Sequence, residues 1–141
     1  LDPITSQTVK VDGSKIIYER KALNTWGMIS AREDFLKDNR DLTVQVLKEY
    51  QKARAFILAN PDKAAAILSA SAKIDLDVAK TVITKRTTIA VPLVPNALQK
   101  NVLQNIQPIL VEDAQVKSAA DAASALATLY DTSYAFAALK K

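Results

Sequence analysis

Carboxylates, lysines and tyrosines are the side chains that remain for catalysis in this chain, because its 141 residues contain no histidine and no cysteine. The commonest general base and metal ligand is therefore missing, and so are thiolate chemistry and disulfides. The adjacent carboxylate pairs are Glu33-Asp34 and Glu112-Asp113. Neighbouring helix positions diverge by about 100° and do not converge on one reacting atom. We therefore expect no enzymatic activity, no metal site and no cofactor.

The composition is that of a globular protein and gives no sign of a nucleic-acid partner. Hydrophobic residues make up 49% of the chain, charged residues 24%, and the net charge is +4. Nucleic-acid binding needs clustered basic residues with interleaved aromatics. Here the basic pairs Lys85-Arg86 and Lys140-Lys141 lie far apart, and aromatics total 6%. We expect neither nucleic-acid binding nor a membrane-spanning segment, since no apolar run approaches the roughly 18 residues that a span requires.

The N-terminal part has the residue pattern of short strands. β-Branched and aromatic residues dominate residues 8–11 and 15–23, and Asp12-Gly13 between them is a turn signal. Residues 26–30 predict a third strand. The sequence therefore predicts a strand-rich beginning within residues 1–31, followed by five or six helices.

The strongest helical pattern covers residues 41–59. Its apolar positions recur every three or four residues and predict one buried stripe: Leu42, Val46, Leu47, Tyr50, Ala53 and Ile57. Asp41 is the predicted N-cap. Asn60-Pro61 then predicts the start of another helix, with asparagine as the cap and proline at the first helical position.

The remaining elements follow from similar signals. Residues 75–85 predict a helix, and the two prolines within residues 87–95 predict an extended segment. Residues 96–107 return to helix, with Pro108 expected to end it. Ser118 and Asp121 resemble a capping box at the start of the next helix. A last short helix is expected after Asp131-Thr132.

Four ordered segments resemble a known family. They are Leu1-Asp2-Pro3, residues 26–35 (WGMISAREDF), residues 53–62 (ARAFILANPD) and residues 129–135 (LYDTSYA). Together they are similar to the C-terminal half of the periplasmic solute-binding proteins of ABC importers, of the aliphatic sulfonate, taurine and nitrate type. Members of that family are longer, so the resemblance implies that this chain is a fragment.

The resemblance implies an α/β, helix-rich structure that forms the C-terminal portion of a type II periplasmic-binding fold. Residues 1–30 would be a strand-rich crossover segment, and residues 31–141 a helical segment packing on the first lobe. The whole protein would capture a small anionic solute, such as an alkanesulfonate, taurine or nitrate, between two lobes. It would then deliver that solute to a membrane permease. The implied location is the periplasm, or a lipid anchor at the outer face of the cytoplasmic membrane.

Two ligand-binding residues follow from the resemblance, Asp2 and Trp26. Asp2 would hydrogen-bond a ligand amine or orient an arginine of the cleft, and Trp26 would line the cleft at the crossover. Each has a structural alternative, since such an aspartate is often a turn or cap residue and a lone tryptophan is usually core.

The alternative function is a helical adaptor or interaction module without a small-molecule ligand. If the chain is a fragment of a two-lobed fold, we expect exposed apolar surface that leads to self-association. A fragment that carries half of a cleft is also expected to bind its solute weakly.

Overall fold

The computed structural model describes residues 2–19 and 27–140. Its helices are α1 (Ile4–Val11), α2 (Glu33–Asp38), α3 (Arg40–Ala59), α4 (Pro61–Ala72), α5 (Leu76–Thr81), α6 (Ala97–Glu112), α7 (Ala119–Thr128) and α8 (Ser133–Leu139). A single π-helical segment, Val82–Arg86, continues directly from α5.

The predicted α/β architecture is wrong. The structure is 68% helical, and its described residues contain no strand or sheet, so it has no type II periplasmic-binding fold. The expected strand at residues 8–11 is the second half of α1, and residues 15–19 and 27–31 have no regular structure. Residues 20–26, which complete the second expected strand and begin the third, lie outside the described residues. Valine and threonine disfavour helix by less than about 0.7 kcal/mol each, so context readily overrides them.

Several helix boundaries agree with the sequence. Pro61 is the first residue of α4, as predicted, and follows Asn60, whose side chain donates to the Phe56 carbonyl and makes no capping hydrogen bond. Ser118 caps α7, where its hydroxyl accepts a hydrogen bond from the Asp121 amide at 3.1 Å. The last helix, α8, begins directly after Thr132. These positions depend on interactions within one turn of the chain, which the local sequence specifies.

Other boundaries differ from the predictions. Asp41 lies in the first turn of α3 instead of capping it. The predicted helix over residues 75–85 divides into α5 and the π segment. Pro108 does not end α6, which continues to Glu112. A proline within a helix removes one hydrogen bond, and here the helix resumes after that loss.

The chain divides into two compact units. Unit 1 contains the described residues up to 19 together with residues 49–91, and unit 2 contains residues 27–48 and 92–140. In unit 1, α4 and α5 pack together through the buried residues Ala64, Ala65, Val78 and Ala79. In unit 2, α6 packs against α7, whose Ala122 is buried. Small side chains thus make up most of both cores, and they permit close approach of the helices.

The predicted apolar stripe of α3 is only partly buried. Leu47 and Ile57 are half-buried, whereas Leu42, Val46 and Tyr50 are 48%, 42% and 51% exposed. The half-buried side of α3 includes polar Gln51 and Arg54, which make specific hydrogen bonds. The helical period was therefore predicted correctly, but only Leu47 and Ile57 of the predicted stripe lie on the side that packs.

Candidate anion-binding site

A cavity of about 370 Å³ lies in unit 1 where the π segment gives way to extended chain. Its lining comes from the ends of α3 and α4 and from the stretch that follows α5: Ile57, Leu58, Pro61, Ile83, Thr84, Lys85, Arg86, Thr87, Thr88, Ile89 and Ala90. Helical turns of the π type occur often at functional sites. The π segment in its lining therefore makes this cavity a candidate binding site.

The lining combines an apolar wall with hydroxyl and cationic groups and contains no carboxylate. Lys85 is exposed and makes no ion pair among the described residues. Thr84 donates its hydroxyl proton to the Lys80 carbonyl at 2.7 Å, which leaves Thr87 and Thr88 as hydroxyl donors. An ammonium group and two hydroxyls can hold an oxyanion, while the apolar wall suits a short alkyl group.

Arg54 hydrogen-bonds the non-helical segment that lines one side of this cavity. Arg54, on α3, donates to the Ile89 carbonyl from Nε at 3.4 Å and from Nη2 at 3.2 Å. Its Nη1 donates to Gln51 Oε1 at 2.9 Å. Because residues 87–91 form no helix, this contact with the Ile89 carbonyl ties that part of the segment to the C-terminal half of α3.

Arg86 is held in turn by the N-terminus of α1. Its Nε donates to Asp2 Oδ2 at 2.6 Å, across 84 positions of sequence. The other oxygen of Asp2 accepts hydrogen bonds from the hydroxyl and the backbone amide of Ser6. Asp2 therefore satisfies a free amide in the first turn of α1 and also orients Arg86. The side chains of Asp2 and Arg86 are 17% and 21% exposed, so the pair is largely shielded from water.

The ionised forms of both partners are favoured. Partial burial opposes ionisation of Asp2, but hydrogen bonds from Ser6 and Arg86 outweigh it and hold the pKa of Asp2 below its ordinary value. The hydrogen bond to Asp2 likewise raises the pKa of Arg86, against the opposing effect of burial. The pair is therefore fully charged at neutral pH.

Glu19 supplies a second carboxylate to the same guanidinium. Its Oε1 lies 2.8 Å from Arg86 Nη1. That contact lacks hydrogen-bond geometry, so the buried Nη1 has no hydrogen-bond partner among the described residues. Arg86 thus carries one positive charge against two carboxylates, one well bonded and one poorly bonded.

A second cavity of about 350 Å³ adjoins this cluster in unit 1. Its lining includes Ser6, Lys10, Ile16, Asp77 and Arg86. Lys10 lies 3.2 Å from both Asp75 and Asp77, and these contacts raise the pKa of Lys10. Counting the ion pairs of Lys10 and Arg86, four carboxylates face two cations here. This second cavity is therefore poorly suited to an anion.

The predicted site residues have different outcomes. Asp2 is not among the residues that line either cavity, but it binds the arginine common to both. Trp26 lies outside the described residues, so its ligand role stays a prediction. Sequence reasoning considered Lys85-Arg86 only as a weak nucleic-acid signal and missed its place in a cavity. The signal present was a basic pair followed by Thr87-Thr88, at the end of a helix and before a proline-containing segment.

The carboxylate pairs do not form a combined site. Asp34 binds Arg32 through an exposed ion pair, and Glu112 ends α6, with Asp113 as its C-cap. Among residues 2–19 and 27–140, no cluster of acidic side chains has the arrangement of a metal site. None of the helices in that part of the chain is both long and apolar enough to span a membrane.

Comparisons with family models, with curated proteins and with solved structures found no match for this chain.

Proposed function

We propose that this chain is part of the solute-binding component of an ABC importer and that it binds a small, sulfonate-like anion. The observation that carries the proposal is the 370 Å³ cavity of unit 1, which presents Lys85 and threonine hydroxyls beside an apolar wall and has no carboxylate in its lining. The importer and its permease partner come from the resemblance of the four quoted segments. The proposal concerns this cavity within a helical unit and does not include α/β lobes.

The expected ligand is an oxyanion with a small apolar group. Lys85 supplies the unpaired positive charge, since the single charge of Arg86 is more than offset by Asp2 and Glu19. The sulfonate oxygens would accept from Lys85, Thr87 and Thr88, and the alkyl part would contact Ile57 and Ile89. One exposed ion pair contributes at most about 1 kcal/mol, so we expect a dissociation constant on the order of 1 mM or weaker.

The test is a titration of the full 141-residue chain with methanesulfonate, taurine, sulfate and nitrate, followed by amide NMR at constant ionic strength. Shifts should concentrate at Thr84, Thr87 and Thr88. Lys85→Gln should weaken methanesulfonate binding about twofold to fivefold, because it removes the charge that pairs with the sulfonate.

Lys63→Gln is the matched control. Lys63 is an exposed residue of α4 in the same unit, and it lies outside the cavity. Its substitution changes the net charge equally and should leave the affinity unchanged. Equal effects of the two substitutions, or no binding by the unmodified chain, would overturn the proposal.

A second candidate is the helical interaction module, in which a second copy of the chain is the partner. It is favoured by four exposed apolar side chains of α6: Leu98, Val102, Ile106 and Ile109. Their spacing places them along one side of the helix. Oligomerisation that depends on this stripe would support the module, and a monomer at high concentration would contradict it.

A further inference from the structure

Glu19 makes the second of the two carboxylate contacts of Arg86, and its geometry is poorer than that of the Asp2 contact. Arg86 Nε has a full hydrogen bond to Asp2 at 2.6 Å. Nη1 has only the 2.8 Å ion-pair contact with Glu19 and forms no hydrogen bond among the described residues. A buried donor without a hydrogen bond costs free energy. The position at Nη1 is therefore incompletely satisfied.

The segment that carries Glu19 has few restraints. It follows α1 at Gly13, whose φ of +65° is a conformation that glycine adopts without strain. Residues 13–19 form no regular structure, and Ile17 and Tyr18 are 98% and 73% exposed. All residues from 13 to 19 are exposed, so moving this segment uncovers little buried surface and the local free-energy cost is small.

Glu19 changes the charge balance around the 370 Å³ cavity of unit 1, which we call the anion cavity. Asp2 balances Arg86, so Glu19 adds one uncompensated negative charge to this cluster. Arg86 also lines the anion cavity beside Lys85. Through its contact with Arg86, the charge of Glu19 lowers the positive potential of this cavity, and an incoming anion is repelled by it.

We propose that Glu19 is an internal competitor that sets the affinity of the anion cavity, and that ligand binding is coupled to release of residues 13–19. This inference rests on the proposed function. Arg86 lines the cavity and contacts Glu19, so a bound oxyanion and the Glu19 carboxylate repel each other, and loss of the Glu19 charge strengthens binding. Glu19 thus determines affinity without belonging to the lining of the cavity.

The experiment compares Glu19→Gln with Glu49→Gln in methanesulfonate titrations of the full chain at low ionic strength. Both variants lose one negative charge within unit 1, but Glu49 pairs with Lys52 and not with Arg86. Glu19→Gln should raise the affinity about twofold to threefold, and Glu49→Gln should leave it unchanged. Equal affinities for the two variants, with binding intact in the unmodified chain, would overturn this inference alone. No binding by any of the three proteins would overturn the proposed function as well.

Proteolysis of the unmodified chain gives a second, independent measurement. Trypsin cleaves after Lys15, which lies in the segment held by Glu19. Methanesulfonate should increase the rate of that cleavage over a sodium chloride control of equal ionic strength. Glu19→Gln should be cleaved faster without ligand and should respond little to it. Protection of Lys15 by the ligand would contradict the coupling.

Discussion

At the scale of single residues, Asp2 shows how one carboxylate joins two distant parts of unit 1. It accepts from Ser6 in the first turn of α1 and from Arg86 at the end of the π segment. A negative charge near a helix N-terminus is favourable, and the low exposure of the pair strengthens its attraction. The resemblance suggested that Asp2 binds a ligand amine or orients an arginine; the structure shows contact with an arginine, while a ligand role stays a prediction.

Asp2→Asn should reduce the free energy of unfolding by about 1–3 kcal/mol at neutral pH, because it removes the charge from a largely buried pair. The folded-state pKa of Asp2 lies below its ordinary value. Its stabilisation is therefore complete above the unfolded pKa of about 3.9 and is lost as the pH falls through the folded pKa. Urea unfolding of both proteins should show a difference at about pH 7 that shrinks near pH 2.5.

Asp62→Asn is the control for this prediction. Asp62 pairs with Lys80, but its side chain is 83% exposed, so the loss should stay below about 1 kcal/mol. If Asp62→Asn lowers the free energy of unfolding as much as Asp2→Asn does, then burial of the Asp2–Arg86 pair adds nothing to stability.

At the scale of elements, two prolines show how position decides their effect. Pro61 is the first residue of α4, where a missing amide hydrogen costs nothing. Pro108 lies inside α6, four residues before its end, where its missing amide hydrogen removes a helical hydrogen bond. Asn96 and Gln99 form a full capping box at the start of α6, an arrangement that stabilises the same helix from its first turn.

Pro108→Ala should raise the free energy of unfolding by about 1–3 kcal/mol, because it restores a helical donor and a residue of high helix propensity. Pro61→Ala, the matched control, should change it by less than about 0.5 kcal/mol. Chemical unfolding of both variants measures the difference. Destabilisation by Pro108→Ala would show that the proline is required for the path of α6.

At the scale of the whole molecule, the described residues leave many large apolar side chains in solvent. The α6 stripe of Leu98, Val102, Ile106 and Ile109 extends over about 16 Å of helix, and its members are 37% to 56% exposed. Contiguous apolar surface of this kind commonly marks an interaction site. The self-association expected from the sequence stays a prediction, and this stripe is its proposed contact surface.

The unmodified chain should associate at high concentration, and Ile106→Lys should shift it toward monomer, because a lysine within the stripe must be desolvated on contact. Gln104→Lys is the control, since Gln104 is exposed on the same helix but is not part of the stripe. Sedimentation velocity across a concentration series measures the change. A monomeric unmodified chain, or equal effects of both lysines, would contradict the prediction.

Local signals in the amino-acid sequence were sufficient for the features that depend on neighbouring residues. Pro61, Ser118 and the absence of helix at residues 87–95 were predicted correctly because caps, proline φ and missing amides act within one turn. Residues 8–11 were assigned to the wrong element, since β-branched residues are compatible with either structure and tertiary context decides between them.

The candidate site depends on packing between distant segments. Asp2 and Arg86 are 84 positions apart. No local pattern in the sequence shows that the N-terminal end of α1 lies beside the end of the π segment. The packing of α3 also depends on distant segments. The period of its apolar residues follows from the sequence, but the side that becomes buried depends on which neighbouring element covers it. Helix starts therefore follow from short-range chemistry, whereas ion pairs, cavities and buried faces follow from how the helices pack.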